Sequence, residues 1–188
     1  MIPMVADAFR CDRTRVFALH RHGPLPEELG GVGGDFEQSY VDHAGEPAVA
    51  PVLTRYGQLY AEKIAALAEA LRAVPMGDGS LLDYTIIMWV PGEASIPHEF
   101  APWNAVFVGG RKLGLRTGRY LRVAQHHRVR PSNFAGAPIV SMGGPNNWAL
   151  TSIARIFGLD LAGFGAEEVT LIDGQTVRLS GAVPGLYP

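Results

Sequence analysis

The chain has 188 residues, of which 47% are hydrophobic and 18% charged, and its formal net charge is −2 with histidine neutral. This composition is typical of a globular chain with a real core and argues against disorder. A net charge so close to zero gives no general reason to expect nucleic acid or an anionic membrane as a partner, and we expect neither. The single cysteine, Cys11, excludes an intrachain disulfide.

The length favours a single domain over residues 1–188. No signal peptide is visible at the beginning of the chain, and no apolar run approaches the ~20 residues that a membrane helix needs. We therefore expect a soluble protein, whose compartment stays unknown.

The first third of the chain is predicted to form a brief helix, a strand, a loop and a long helix. Residues Arg15–Leu19 are typical of a short buried strand. Gly and Pro dominate from Gly23 to Gly34, which predicts a loop of a length that is usually functional or mobile. Over Val52–Ala73, apolar residues recur at three- and four-residue spacing and predict an amphipathic helix, which Pro75 and Gly77 end.

Two buried strands are predicted next. The second half of residues 81–90 is continuous apolar and β-branched, which favours a central strand covered on both faces. Residues Ala105–Val108 predict a further short buried strand, ended by Gly109-Gly110. The basic run at residues 126–130 is interpreted as a solvated loop.

The last third is predicted to hold a helix and a hairpin. Residues Asn146–Phe157 are typical of a helix, with Asn146 or Asn147 as its N-cap and Gly158 beyond its end. Val169–Ile172 and Thr176–Leu179 flank an Asp-Gly turn, which is a strong hairpin signal. Strands that alternate with a long helix indicate an α/β sandwich. In such sheets the loops after the carboxyl ends of strands build the site, here those after Leu19, Val90 and Val108.

Imidazoles and carboxylates in these loops form a candidate metal site. In an extended chain His20 and His22 share a face, so both could bind one ion, although a solvated pair of histidines is the alternative. Asp42-His43 ends the same long loop, and Glu93 and His98 follow the central strand. Carboxylate and imidazole are the usual ligands of zinc and related ions. We therefore expect a divalent metal ion, zinc or manganese, bound by some of His20, His22, Asp42, His43, Glu93 and His98.

A competing motif is Arg21-His22-Gly23, which resembles the arginine-histidine-glycine motif of the histidine phosphatases. That resemblance implies a phosphorylated histidine and arginines that bind phosphate oxygens. The family needs a second catalytic histidine, for which only His98 offers itself, and a further arginine.

A broader resemblance covers roughly three quarters of the chain. It rests on the order and spacing of short segments: residues 11–16, 77–89, Gly92-Glu93, His98, 108–110, 117–121, 146–153, 157–159, 164–165 and 181–186. In these the chain resembles a family of bacterial exported proteins of unknown function, commonly bearing twin-arginine signals, that is grouped with alkaline phosphatases and sulfatases.

The resemblance implies a partial alkaline-phosphatase-like α/β sandwich with metal ligands at strand ends and a C-terminal hairpin. The aspartate-plus-histidine loop of the family falls near Asp42 and His43, its Gly-Glu turn on Gly92 and Glu93, and its following histidine on His98. The spacing near Asp42 differs, so Asp35 is an alternative acid. Relatives are longer and typically exported, and the superfamily nucleophile lies in a region that precedes this chain, which implies an N-terminal truncation.

Two classes of function follow. The first is a small metal-dependent hydrolase that acts on an ester or phosphoester, a small-molecule substrate, through a metal-bound water. The second is a non-catalytic truncated relative that oligomerises or binds a partner, because missing strands would leave an exposed sheet edge and apolar area. We expect a homo-oligomer, and no catalytic residue is assigned. Phosphotransfer through Arg21-His22-Gly23 is a further alternative.

Overall fold

The computed structural model describes residues 2–19, 47–90, 104–129, 140–143, 145–170 and 174–188. Its contacts divide the chain into two compact units, residues 1–82 and residues 83–188, which are considered in turn. The described residues form helices and small antiparallel sheets of two strands each. The fold is therefore of the general α/β class that the sequence predicts. No helix in these ranges is long and apolar enough to cross a membrane.

The first unit is built on two helices in contact, α1 (Ile2–Arg10) and α2 (Ala50–Arg72). Helix α1 buries Val5 and Ala6, and α2 buries Leu59 and Leu71 from its apolar stripe. Both predicted helices are confirmed. Each has one apolar face, and burying that face against the other helix favours the helical conformation.

A short hairpin follows α2 at the predicted end of the helix. Strands β1 (Pro75–Met76) and β2 (Gly79–Ser80) pair antiparallel. Between them Gly77 has a φ of +56°, a left-handed conformation that glycine adopts without steric cost. The backbone N–H of Leu81 donates to the Val74 carbonyl at 2.8 Å, which closes the hairpin onto the end of the helix.

The predicted buried strand at Arg15–Leu19 is wrong. Residues 16–19 form no strand, and Val16 is 83% exposed. The reason is local hydrogen bonding: Arg15 donates two bonds to the Asp12 carboxylate, and Val16 and Thr14 bond each other through the Thr14 hydroxyl. Such side-chain bonds give the backbone an alternative to a strand ladder.

A 3₁₀ turn over Leu81–Tyr84 runs from the last two residues of the first unit into the second. Strand β3 (Ile86–Trp89) follows it and pairs antiparallel with β4 (Val106–Gly109). Both strands lie where the sequence predicts them, β4 shifted by one residue. The prediction that β3 is covered on both faces is wrong, because Ile87 alone of its four residues is buried. A continuous apolar run therefore predicts where the strand lies but not what fraction of its side chains is buried.

Antiparallel pairing also changes where the loops leave this sheet. Ile86 lies opposite Gly109 and Trp89 opposite Val106, so the chain leaves β3 at one end of the pair and leaves β4 at the other. The prediction that the loops after Val90 and Val108 gather at one sheet edge is therefore wrong. That prediction assumed parallel strands, whose carboxyl ends lie together.

Strands β5 (Ala124–Val129) and β6 (Val140–Gly143) form the next antiparallel pair, with a register irregularity between Ala124 and His127. The interpretation of residues 126–130 as a solvated loop is therefore wrong for 126–129. The basic sequence alone gives no sign of the pairing, because the partner strand lies more than ten residues further along the chain.

Helix α3 (Asn147–Ile156) confirms the predicted helix. Asn146 occupies the N-cap position, but neither it nor Asn147 caps the helix with its side chain, and Asn147 instead donates from Nδ2 to the Phe164 carbonyl at 2.5 Å. Beyond the end, Gly158 has a φ of +82°, as predicted. Its N–H donates to the Arg155 carbonyl, and that of Leu159 donates to Ala154, which is a Schellman motif.

The last two strands, β7 (Glu168–Thr170) and β8 (Thr176–Arg178), form the predicted C-terminal hairpin. Gly174 between them has a φ of +81°. Only Val177 of this hairpin is buried among the described residues. Among the residues of the second unit whose side chains are described, the buried apolar ones are Ile87, Leu115, Ala149, Ala154, Val177 and Leu186.

Candidate functional site

All of the predicted metal ligands lie outside the described residues. These are His20, His22, Asp42, His43, Glu93 and His98, and the same holds for Asp35 and for the Arg21-His22-Gly23 motif. Whether the side chains converge on one ion therefore stays a prediction. Within the described ranges, no three His, Cys, Asp or Glu side chains are grouped so that they could hold a metal ion.

The structure describes the two strand ends that the segment with Glu93 and His98 connects. The chain leaves β3 at Trp89 and enters β4 at Val106, and these two residues are paired directly across the sheet. Their Cα atoms are therefore about 5 Å apart. The connection between them is 16 residues long, whereas a hairpin closes with two to five. The fold of the hairpin does not require this extra length.

The best-defined polar cluster of the second unit joins α3 to the C-terminal segment, residues 180–186. Ser152 is fully buried, its Oγ donates to the Trp148 carbonyl at 2.7 Å, and it accepts from the Val183 N–H at 2.8 Å. Trp148 Nε1 donates to the Ser180 carbonyl at 3.0 Å. The hydroxyl proton of Ser152 is thus committed to a carbonyl, so this serine holds structure and is not a nucleophile.

Close packing explains the glycine beside this cluster. A Cβ on Gly181 would lie 2.9 Å from Trp148 Nε1, and Gly181 has a φ of +130°. Both the space and the backbone conformation therefore require glycine. Sequence reasoning gave no role to Ser152 or Gly181, because a buried serine in a helix and a glycine in a tail have no pattern of their own.

The last residues of the C-terminal segment are held by the loop after β4. The Arg116 N–H donates to the Leu186 carbonyl at 2.9 Å, and the Arg119 guanidinium donates to the Gly185 carbonyl. Arg119 Nε also donates to the Arg116 carbonyl at 3.3 Å. These contacts, together with the buried Leu115, fix the backbone of this loop.

Of the ion pairs among the described side chains, two lie on α2 and two lie near chain turns. Arg111 Nε lies 2.9 Å from Oδ1 of the partly buried Asp83, at the start of the loop after β4. In the first unit, the hydrogen bond and the charge of Arg15 lower the pKa of the exposed Asp12 carboxyl.

Comparison with known proteins finds no relative: no protein-family model, curated protein or solved structure matches this chain. The resemblance to exported alkaline-phosphatase-like proteins therefore stays a prediction from the segments that carry it.

Proposed function

We propose that the protein is a small metal-dependent hydrolase that acts on an ester or phosphoester. The observation that carries the proposal is the connection between Trp89 and Val106, which is far longer than its paired ends require and contains Glu93 and His98. Long connections of this kind are commonly functional. Four of the six histidines of the chain, His20, His22, His43 and His98, fall in this connection and in residues 20–43.

The chemistry of these residues suits a divalent ion. Neutral imidazole and carboxylate bind zinc and manganese, with Asp42 or Asp35 and Glu93 as the anionic ligands. A bound ion of this kind supplies water activation, because it lowers the pKa of the water toward ~7 and so provides hydroxide without a protein nucleophile. Backbone pairing at Trp89 and Val106 would fix both ends of the segment that carries Glu93 and His98.

The experiment measures metal content and activity together. Untagged protein is expected to carry a transition metal by elemental analysis and to hydrolyse p-nitrophenyl acetate or p-nitrophenyl phosphate after zinc or manganese is added. His43→Ala and His98→Ala should each lower the rate at least about 100-fold. Loss of a residue that only hydrogen-bonds a metal ligand already lowers metal affinity or activity about 10–100-fold. His127→Ala, a change outside the proposed ligand set, is the matched control and should keep the rate.

Protein without bound metal and without activity after metal addition would contradict the proposal. Activity that survives chelation but is lost in His22→Ala would instead favour phosphotransfer through Arg21-His22-Gly23.

For the architecture we propose the partial alkaline-phosphatase-like sandwich that the segment order implies. An experimental structure without a sheet packed between layers of helices would contradict this arrangement.

A second candidate function, a non-catalytic homo-oligomerising domain, is supported by apolar side chains exposed after α3. Phe157 is 54% and Leu159 57% exposed, and Phe164 is exposed as well. Leu161 is also exposed, so four large apolar side chains lie within eight residues. They favour a contact surface, for which a second copy of the chain is the proposed occupant.

Light scattering at micromolar concentration tests this candidate. We expect a dimer or larger assembly, which Leu159→Ser should shift toward monomer. The equally exposed Met4 on α1 offers a matched control, since Met4→Ser removes apolar surface elsewhere. A monomer at micromolar concentration contradicts oligomerisation and leaves the hydrolase proposal standing.

A further inference from the structure

The charge of the chain is distributed unevenly between its two units. Residues 83–188 carry nine Lys or Arg against seven Asp or Glu, whereas residues 1–82 carry seven against eleven. Between Glu99 and Asp160 there is no acidic residue at all, while eight are basic. The net charge of the whole chain is an average that hides this basic stretch.

The densest part of that stretch is the loop after β4, residues 116–122, which we term the basic loop. Arg116, Arg119 and Arg122 recur at every third position, and all three are exposed. Just before the loop, Arg111 forms an ion pair with Asp83. The basic loop thus presents three guanidinium groups with no acidic side chain among its own seven residues.

The aromatic residue Tyr120 lies between Arg119 and Arg122 in the sequence. Tyr120 is 82% exposed, which is high for a side chain of this size in a folded unit. A single exposed tyrosine needs no explanation, but one flanked by arginines is the combination that binds single-stranded nucleic acid: cations track phosphates and a ring stacks on a base.

The basic loop is also held in one conformation. Leu115 is buried at its start, the Arg116 N–H donates to the Leu186 carbonyl, and Arg119 donates to Gly185 and Arg116. Gly118 turns the backbone at a φ of +74°, with no atom near the position of a Cβ. Fixed backbone lowers the entropy lost when a ligand binds, because the loop need not be ordered first.

From these observations we propose that the basic loop is a binding surface for single-stranded nucleic acid, with Tyr120 as the stacking residue and the neighbouring arginines as phosphate contacts. The proposed surface uses none of the residues assigned to the proposed hydrolase centre. An acidic protein segment would use the same cations but would gain little from the ring, so the exposed Tyr120 favours nucleic acid.

Fluorescence anisotropy of the full chain with a labelled oligothymidylate of about 12 nucleotides tests the proposal at low salt. Tyr120→Ala should weaken binding at least about fivefold, whereas Tyr120→Phe keeps the ring and should bind within about twofold of the parent. Arg122→Ala should reduce the slope of log K against log salt by about 0.7. Arg178→Ala, an exposed arginine on β8, is the charge-matched control and should leave affinity unchanged.

The proposal would be overturned if the chain did not bind the oligothymidylate at low salt, or if it bound a duplex with equal affinity. It would also be overturned if Tyr120→Ala protein with the melting temperature of the parent bound as tightly as the parent. The same holds if Arg178→Ala weakened binding as much as Arg122→Ala. Tighter binding of labelled polyglutamate through the same arginines would assign the surface to an acidic protein and reject nucleic acid. Retained melting temperature in each variant separates a lost contact from a lost fold.

Discussion

Single side chains connect α3 to the C-terminal segment, and Ser152 shows why a polar group is tolerated there. Its hydroxyl is fully buried and makes one bond as donor, to Trp148, and one as acceptor, from Val183. A buried polar group costs free energy unless it is hydrogen-bonded, and here the hydroxyl bonds one backbone carbonyl and one backbone N–H. The serine therefore stabilises the C-terminal segment, because it gives the Val183 N–H a hydrogen-bond acceptor.

Ser152→Ala tests this account. Removing the hydroxyl leaves the partly buried Val183 N–H without its acceptor, so we expect a loss of about 1–3 kcal/mol in the free energy of unfolding. Urea unfolding followed by tryptophan fluorescence measures it. Thr54→Ala is the matched control, because Thr54 makes the same kind of bond to the Ala50 carbonyl on the exposed face of α2. An equal loss in both variants would show that burial does not matter.

Asp12 and Arg15 give a pH-dependent contact at the end of α1. The hydrogen bond and charge of Arg15 lower the pKa of the Asp12 carboxyl in the folded chain. Ionised Asp12 therefore favours the folded turn at pH values above its ordinary pKa, and this contribution is lost as the pH falls through the lowered folded value. Because both groups are fully exposed, salt should weaken the effect.

An NMR titration of the Asp12 carboxyl measures this directly. Arg15→Gln should return the pKa of Asp12 upward to its ordinary value, while Arg13→Gln, a neighbouring arginine without a bond to Asp12 among the described contacts, should leave it lowered. A pKa of Asp12 that does not change in Arg15→Gln protein would contradict the ion pair.

Among the elements, the helices depend on their own sequence more than the strands do. The apolar stripe of α2 and the glycine after α3 are local signals, and both helices form where those signals predict. The strands each need a partner from elsewhere in the chain. The apolar run at Arg15–Leu19 matches a strand in composition, yet it stays exposed and unpaired in the described part of the chain.

Within α2, Gly57 is a position at which the helix can be strengthened. It lies in the helix interior, and no atom lies within 4 Å of where a Cβ would stand. Gly57→Ala should therefore raise the free energy of unfolding by up to about 1 kcal/mol, since alanine restricts the unfolded chain and has the higher helix propensity. Thermal unfolding measures the gain.

Gln58→Ala is the control for Gly57→Ala, because it changes an adjacent exposed residue with little difference in helix propensity and should shift stability by only a few tenths of a kcal/mol. A loss of stability in Gly57→Ala would contradict this prediction. It would mean that another group contacts the helix at the position that the alanine Cβ would occupy.

For the whole molecule, the proposed metal site predicts a linkage between metal and stability. A ligand that binds only the folded protein raises its stability, by about 2.7 kcal/mol when the free concentration is 100 times the Kd. We therefore expect zinc or manganese to raise the melting temperature and a chelator to lower it. The double variant His43→Ala, His98→Ala should lose the shift, and His127→Ala should keep it. A shift that persists in the double variant would place the ion elsewhere.

The sequence by itself determined the helices, the glycine turns and the positions of β3, β4, β7 and β8, because periodicity and glycine act over a few residues. It did not predict β1, β2, β5 or β6. It also determined the chemistry available: four histidines and several carboxylates in two long segments. Only the tertiary structure decided that β3 and β4 are antiparallel, that their following loops leave at opposite ends, and that Ser152 and Gly181 hold the C-terminal segment. Those outcomes depend on contacts between residues far apart in the chain, and no local pattern of side chains specifies which distant partner a strand or a tail will meet.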